Sequence, residues 1–209
     1  QHPDGTTVAP GEIGEIVVRG VLVTPSYYRR PQVTKLAKIP TENGDAWHRM
    51  GDVGYLDEQG RLWMCGRKGH RVDAETGTMY TIPCEAVFNT HPAVRRSALV
   101  GVAGVGKPSG GRRAMGAGRT TSEGDPAHRG YTTPLICVER VPEATIDNGR
   151  LMEELLEIAR SHEHTRAIDT VLYHPAFPVD VRHNAKIFRE KLAVWAAKQL
   201  ASRPPAKPS

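Results

Sequence analysis

Asp52 and Arg67 bracket the stretch DVGYLDEQGRLWMCGR. An ionised aspartate can accept two hydrogen bonds from a vicinal diol, and a guanidinium can donate to sugar oxygens or to phosphate. One acid and one cation on a common rim would suit a ribonucleotide. On spacing alone the commoner reading of such a pair is a surface salt bridge, worth about 0 to 1 kcal/mol. Spacing alone leaves both open.

Whether the two residues meet depends on the elements that carry them. Residues 53–57 and 61–65 read as short strands, and DEQG supplies the turn with Gly60 at its left-handed position. Antiparallel pairing carries the chain out and back, which predicts that Asp52 and Arg67 emerge at the same open end. Upstream, GEIGEIVVRGVLV (residues 11–23) alternates apolar and polar and predicts strands around a kink at Gly20. Downstream, RVDAETGTMYTI predicts a second hairpin around Thr76 and Gly77. Pro83 falls at the N1 position of a short helix, CEAVFNTH, and SALVGV reads as a buried strand.

From residue 104 to 130, Gly, Arg, Ser and Thr dominate and large apolar residues are scarce, which predicts a flexible loop. PLICVERV and TVLYHP read as further strands. Residues 149–162 place Leu151, Leu155, Ile158 and Ala159 on one helical face. AKIFREKLAVWAAKQL predicts an amphipathic helix that offers Ile187, Leu192, Trp195 and Leu200 for burial, and residues 204–209 read as a disordered tail.

Composition sets the limits. With 209 residues and 39% hydrophobic content, the chain can fill one large or two small cores without disulfides. Cys65, Cys84 and Cys137 are far apart among apolar neighbours and read as reduced, buried thiols. No run of eighteen apolar residues occurs, and QHPDGTTVAP has neither a basic nor an apolar signal region, so a cytoplasmic address without a transmembrane segment is expected. A net charge of +5 suits any anionic partner and selects none. The Gly/Arg-rich stretch holds no aromatic residue for stacking bases, so no specific nucleic-acid partner is expected.

Two local patterns mislead. GVAGVGKP (residues 101–108) follows the phosphate-loop spacing until Pro108, which stands where Ser or Thr would ligate magnesium. His162 and His164 in SHEHT have no HExxH or CxxC partner, so they read as a solvated helix end and no metal site is expected.

Four ordered segments carry more weight: GEIGEIVVRGVLVTPSYYRRP, WHRMGDVGYLDEQGRLWMCGR, IPCEAVFNTHPAVRRSALVGV and FPVDVRHNAKIFREKL. In this order they resemble the later sequence blocks of the AMP-forming acyl-adenylating enzymes, the ANL superfamily. Within it the chain is most similar to the OleC-type β-lactone synthetases of long-chain olefin biosynthesis, through RLWMCGRKGHRV, TIPCEAVFNTHPAV and HPAFPVDVRHNAKIFREKLAVWA. The resemblance implies an α+β fold. A β-rich end of the large N-terminal adenylation domain (residues 1–67) would be followed by a small mobile α+β C-terminal domain (68–203).

The resemblance also implies roles. Asp52 matches the residue that holds the ribose hydroxyls, although Met50 replaces the usual hydroxyl residue two positions before it. Arg67 matches the second ribose contact, and Gly69 the interdomain hinge, where an acid or lysine is more usual. Lys186 matches the C-terminal catalytic lysine, preceded here by Ala185 where Gly is common. A fixed ammonium fits that role, because attack of a carboxylate on an α-phosphate gathers negative charge. Losing one such donor typically costs about 100- to 1000-fold in rate. Arg189 and Lys191 lie three and five residues on and cannot share that site.

ATP with Mg2+, a long-chain β-hydroxy acid and other olefin-biosynthesis enzymes are the implied cofactors and partners. The family's pyrophosphate loop, acyl tunnel and adenine block are not among these residues. The chain is therefore expected to be the C-terminal portion of a ligase and inactive alone. The implied reaction adenylates the acid and closes it to a β-lactone. The alternatives are a long-chain acyl-CoA synthetase or acyl-AMP ligase, and a non-catalytic nucleotide-binding or interaction module.

Overall fold

A computed structural model describes residues 7–103, 131–182 and 186–202. The predicted loop at 104–130, the 204–209 tail and Ala185 lie outside them. The chain divides into two compact units: one runs to Arg71 and includes Tyr80–Ile82, and the other takes Val72–Met79 and the chain from Pro83 onward.

The first unit is organised on one long strand. β1 (Gly14–Val18), α1 (Pro31–Ala37), β2 (Lys38–Pro40), β3 (Ala46–Leu56) and β4 (Leu62–Arg67) follow in order. β1 pairs antiparallel along one edge of β3, while β2 and β4 take successive stretches of the other edge. The β3–β4 hairpin forms as predicted. Gly60 takes φ +74°, and the Asp57 carboxylate accepts the Gln59 and Arg61 N–H groups and the Trp63 indole N–H. These bonds, the indole's first, hold the Asp57 carboxyl below its ordinary pKa. Tyr55 and Trp63 stand opposite each other and stack at 6.4 Å, which supports the register. The strand expected through Val23 stops at Val18. Val21 and Leu22 are fully exposed in a turn, because no strand among the described residues pairs with them.

In the second unit β5 (Val72–Ala74) and β6 (Gly77–Met79) form the expected hairpin. α2 (Thr81–Phe88, of which Thr81 and Ile82 belong to the first unit), β7 (Val94–Val102), β8 (Thr133–Arg140), α3 (Asn148–Ser161), β9 (Val171–Tyr173) and α4 (Arg189–Ala201) follow. The sheet order is β7-β8-β9, antiparallel then parallel, with α3 in the crossover. Strands covered on both faces read as continuous apolar runs. Leu99, Ile136 and Val138 join Phe88, Leu151, Leu155 and Ala159 in one core. Ala98, Val100, Leu135 and Cys137 join Leu192 and Ala196 in the other. Successive residues of β7 and β8 thus feed opposite cores, giving a helix–sheet–helix sandwich. The Asp147 side chain accepts the Gly149 and Arg150 N–H groups and caps α3, a contact worth about 0.5 to 2 kcal/mol.

Two helix starts differ from expectation. α2 begins at Thr81, so Pro83 is its third residue, still within the first turn where a missing N–H costs no intrahelical bond. α4 begins at Arg189, four residues after the apolar pattern starts, because Ile187 bridges Val179 as a short β pair. Cys65, Cys84 and Cys137 are buried thiols outside any disulfide, as read from sequence. Burial pushes the Cys137 thiol up to about 12. No helix among the described residues is long and apolar enough to cross a membrane.

Candidate functional site

Register sets the first part of the site. Asp52 and Arg67 are direct cross-strand partners at the open end of the β3–β4 hairpin. Arg67 Nε lies 3.1 Å from Asp52 Oδ1, close enough for an ion pair but not aligned as a hydrogen bond. Asp52 Oδ1 is buried, and no described residue donates a hydrogen bond to it. Exposure differs sharply across the pair, at 14% for the carboxylate and 59% for the guanidinium. A surface salt bridge would leave both ends wet and satisfied. Here a sheltered acceptor lacks a donor while an exposed cation stands beside it, a combination suited to a ligand hydroxyl. Arg67 also donates to the Met50 carbonyl at 3.2 Å. Position 50 therefore contributes its backbone, which sequence reasoning missed and which no side-chain pattern could have shown.

Gly66 explains why the hairpin end has this shape. Its φ is +122°, and a Cβ added there would lie 2.2 Å from Thr81 Oγ1. Only glycine permits that backbone immediately before Arg67. After Arg67 the chain makes a 3-10 turn at Lys68–His70. Lys68 pairs with the buried Glu15 at 2.8 Å, and Arg49 lies 3.8 Å from the same carboxylate. Gly69 sits in the middle of this turn, exposed and without a left-handed φ, and a methyl added there would meet no atom within 4 Å.

Lys186 belongs to the second unit and is exposed. Contrary to the expectation of a helix start, it lies outside α4, next to a residue in a short β bridge. The Lys186 carbonyl accepts the Asp180 N–H at 3.0 Å, Val179 bridges Ile187, and Phe188 N–H donates to the Pro178 carbonyl at 2.8 Å. The Arg182 backbone and side chain, with a smaller contribution from the Lys186 charge, hold the Asp180 carboxyl below its ordinary pKa. Arg189 and Lys191, further along the chain, have partners of their own, although Lys186 lies outside the helix whose spacing was expected to separate them. Arg189 forks onto Glu85 and Lys191 lies over the Phe188 ring at 4.6 Å.

The misleading patterns resolve differently. Gly101 and Val102 finish β7, while residues 104–108 lie outside the described residues. His162 and His164 stack edge to face at 6.0 Å. Among the described residues no group of three or more His, Cys, Asp and Glu side chains is placed to hold a metal ion.

No family model matches the chain. The olefin beta-lactone synthetase of Xanthomonas campestris pv. campestris is 45% identical over 92% of this chain, and the matched part is 31% of that protein. The amide bond synthetase McbA of Marinactinospora thermotolerans superposes with a TM-score of 0.68 at 26% identity, covering 93% of this chain and 33% of that one. The O-succinylbenzoate coenzyme A synthetase of Bacillus subtilis, solved with ATP and a magnesium ion, shares the fold at a TM-score of 0.64 and 21% identity, over 91% of this chain and 32% of its own. The chain belongs to the AMP-forming acyl-adenylating enzymes, the ANL superfamily. It spans about a third of the length of the relatives it matches. Within the superfamily its sequence is similar to the olefin beta-lactone synthetases.

Proposed function

We propose that the chain serves as the C-terminal part of an ATP-dependent, AMP-forming ligase that activates a long-chain β-hydroxy acid and closes it to a β-lactone. Asp52 and Arg67 would hold the ribose of the nucleotide, with Mg2+ arriving on its phosphates. The observation that carries this is the sheltered, donor-free Asp52 Oδ1 beside an exposed guanidinium. A ribose hydroxyl would satisfy it.

In the proposed cycle the substrate carboxylate attacks the α-phosphorus and pyrophosphate leaves. The Lys186 ammonium neutralises charge that builds on both reacting groups, a preorganised contribution of the kind worth about 2.7 to 4 kcal/mol. The residues from 68 onward would act as the small mobile domain, turning about Gly69, with residues 1–67 as the end of the large one. The substrate's β-hydroxyl then attacks the acyl carbonyl, its proton leaves to solvent, and AMP departs as the four-membered ring closes. Carrying both reacting groups on one molecule supplies effective molarity and removes the need for a thiol acceptor. A cytoplasmic address and association with other olefin-biosynthesis enzymes complete the proposal. The likeness to the Xanthomonas olefin beta-lactone synthetase supports the lactone product.

The test replaces the matching C-terminal third of the Xanthomonas synthetase with this chain. ATP-dependent formation of a lactone from a long-chain 3-hydroxy acid, detected by mass spectrometry, is the expected result. Thioester formed only with coenzyme A would assign an acyl-CoA synthetase instead. A folded chimera with no adenylation at all would refute the enzymatic role and favour a non-catalytic module.

A further inference from the structure

Lys186 is exposed and lies on an irregular segment, yet the proposed role needs its ammonium held in register. Backbone anchors on either side of it include the Val179–Ile187 bridge, the Asp180 N–H to the Lys186 carbonyl, and the Phe188 N–H to the Pro178 carbonyl. Immediately beyond it, Arg189 turns inward. Its guanidinium makes a two-pronged contact with the Glu85 carboxylate, Nη2 donating to Oε2 at 2.9 Å and Nη1 to Oε1. Nη1 also lies 3.5 Å from the Leu99 carbonyl, and Glu85 Oε1 accepts the Leu99 N–H at 2.8 Å. Both side chains are largely buried, at 12% and 16% exposure. Burial raises the Glu85 pKa against the opposing pull of Arg189, so the carboxylate depends on its partner to remain charged.

We infer that the buried Glu85–Arg189 fork is a positioning device for Lys186. It ties the start of α4 to α2 and to strand β7, and so fixes the chain that follows Lys186. This inference rests on the proposed catalytic role of Lys186. A bidentate guanidinium–carboxylate pair defines orientation as well as distance, which a lysine's point charge cannot do. Arg189 does not itself contact the reacting groups. It acts three residues away, through the backbone.

Arg189→Lys keeps the buried charge paired and loses the fork, and Glu85→Gln keeps the shape and loses the charge. In the full-length ligase, the adenylation rate constant for Arg189→Lys should fall between about 10- and 100-fold, the scale of a small misplacement of a catalytic group. KM for ATP should stay within about twofold. Lactone closure from supplied acyl-adenylate should be unchanged, and Glu85→Gln should follow the same pattern. In a Lys186→Ala background, Arg189→Lys should cost nothing more. Hydrogen exchange at the Asp180 and Phe188 amides should quicken in Arg189→Lys while the β8 amides stay protected. If Lys186→Ala slows adenylation but Arg189→Lys does not, or lowers it equally in the Lys186→Ala background, the positioning role is overturned while that of Lys186 stands. If Lys186→Ala leaves adenylation untouched, the catalytic reading fails first and this inference with it.

Discussion

Gly66→Ala is the sharpest probe of how the hairpin presents Arg67. Two separate penalties meet at this position. The φ of +122° lies where side chains are strained by about 1 to 3 kcal/mol. The new methyl would also lie 2.2 Å from Thr81 Oγ1, in a place where Thr81 is buried. Overpacking of this kind costs about 1 to 3 kcal/mol, so the two together give about 2 to 6 kcal/mol. In a Trp195→Phe background, fluorescence from Trp47 and Trp63 follows the first unit alone. With a urea slope near 1 kcal/mol/M for a small unit, the midpoint should drop by about 2 M or more. The two penalties can be separated. Thr81→Ala removes Oγ1, and the next neighbour of the added methyl, Thr81 Cβ, is at 3.6 Å. In that background Gly66→Ala should retain only the backbone part, about 1 to 3 kcal/mol. A midpoint shift below about 0.5 M for the single variant would refute both the strained backbone and the close approach.

Three further outcomes follow. Leu155→Ala, at a position fully buried in the core beneath α3, should cost about 2 to 5 kcal/mol by chemical denaturation followed at Trp195. Burial against Phe177 and Trp195 lowers the His174 pKa, so the imidazole stays neutral in the fold under conditions that protonate it in the unfolded chain. Stability should therefore fall as pH drops below the unfolded value of about 6.5, and His174→Gln should flatten that slope between about pH 7.5 and 5.5 in paired urea titrations. Gly69→Ala should leave the unfolding free energy within about 0.5 kcal/mol of wild type, since the position is open and its φ is not left-handed. A larger loss would show that the turn is held more tightly than its contacts indicate.

Much of this was legible because the determinants are local. The DEQG turn, its Asp57 acceptor and the alternation on either side specify the register that sets Asp52 against Arg67. The apolar runs SALVGV and PLICVERV announced strands buried on both faces. Errors arose where a distant partner decided the outcome. Val21 and Leu22 are strand-like residues, but among the described residues no strand lies beside them. Ile187 fits a helical face, yet Val179 claims it for a β bridge and delays α4 to Arg189. The Glu85–Arg189 fork joins residues 104 positions apart, and nothing in TIPCEAVF reveals that its glutamate turns inward. The backbone role of Met50 was equally hidden, since a carbonyl has no residue signature.

The three sheltered thiols carry a practical consequence. Cys65, Cys84 and Cys137 are all buried, and Cys137 resists ionisation, so a maleimide dye added to the folded chain will find poor targets in all of them. A cysteine introduced at exposed Gly69 or Arg182 could thus be tagged selectively without first stripping the native sulfurs. Fluorophores at two such sites would test in real time whether one unit moves against the other, as proposed, when nucleotide is added.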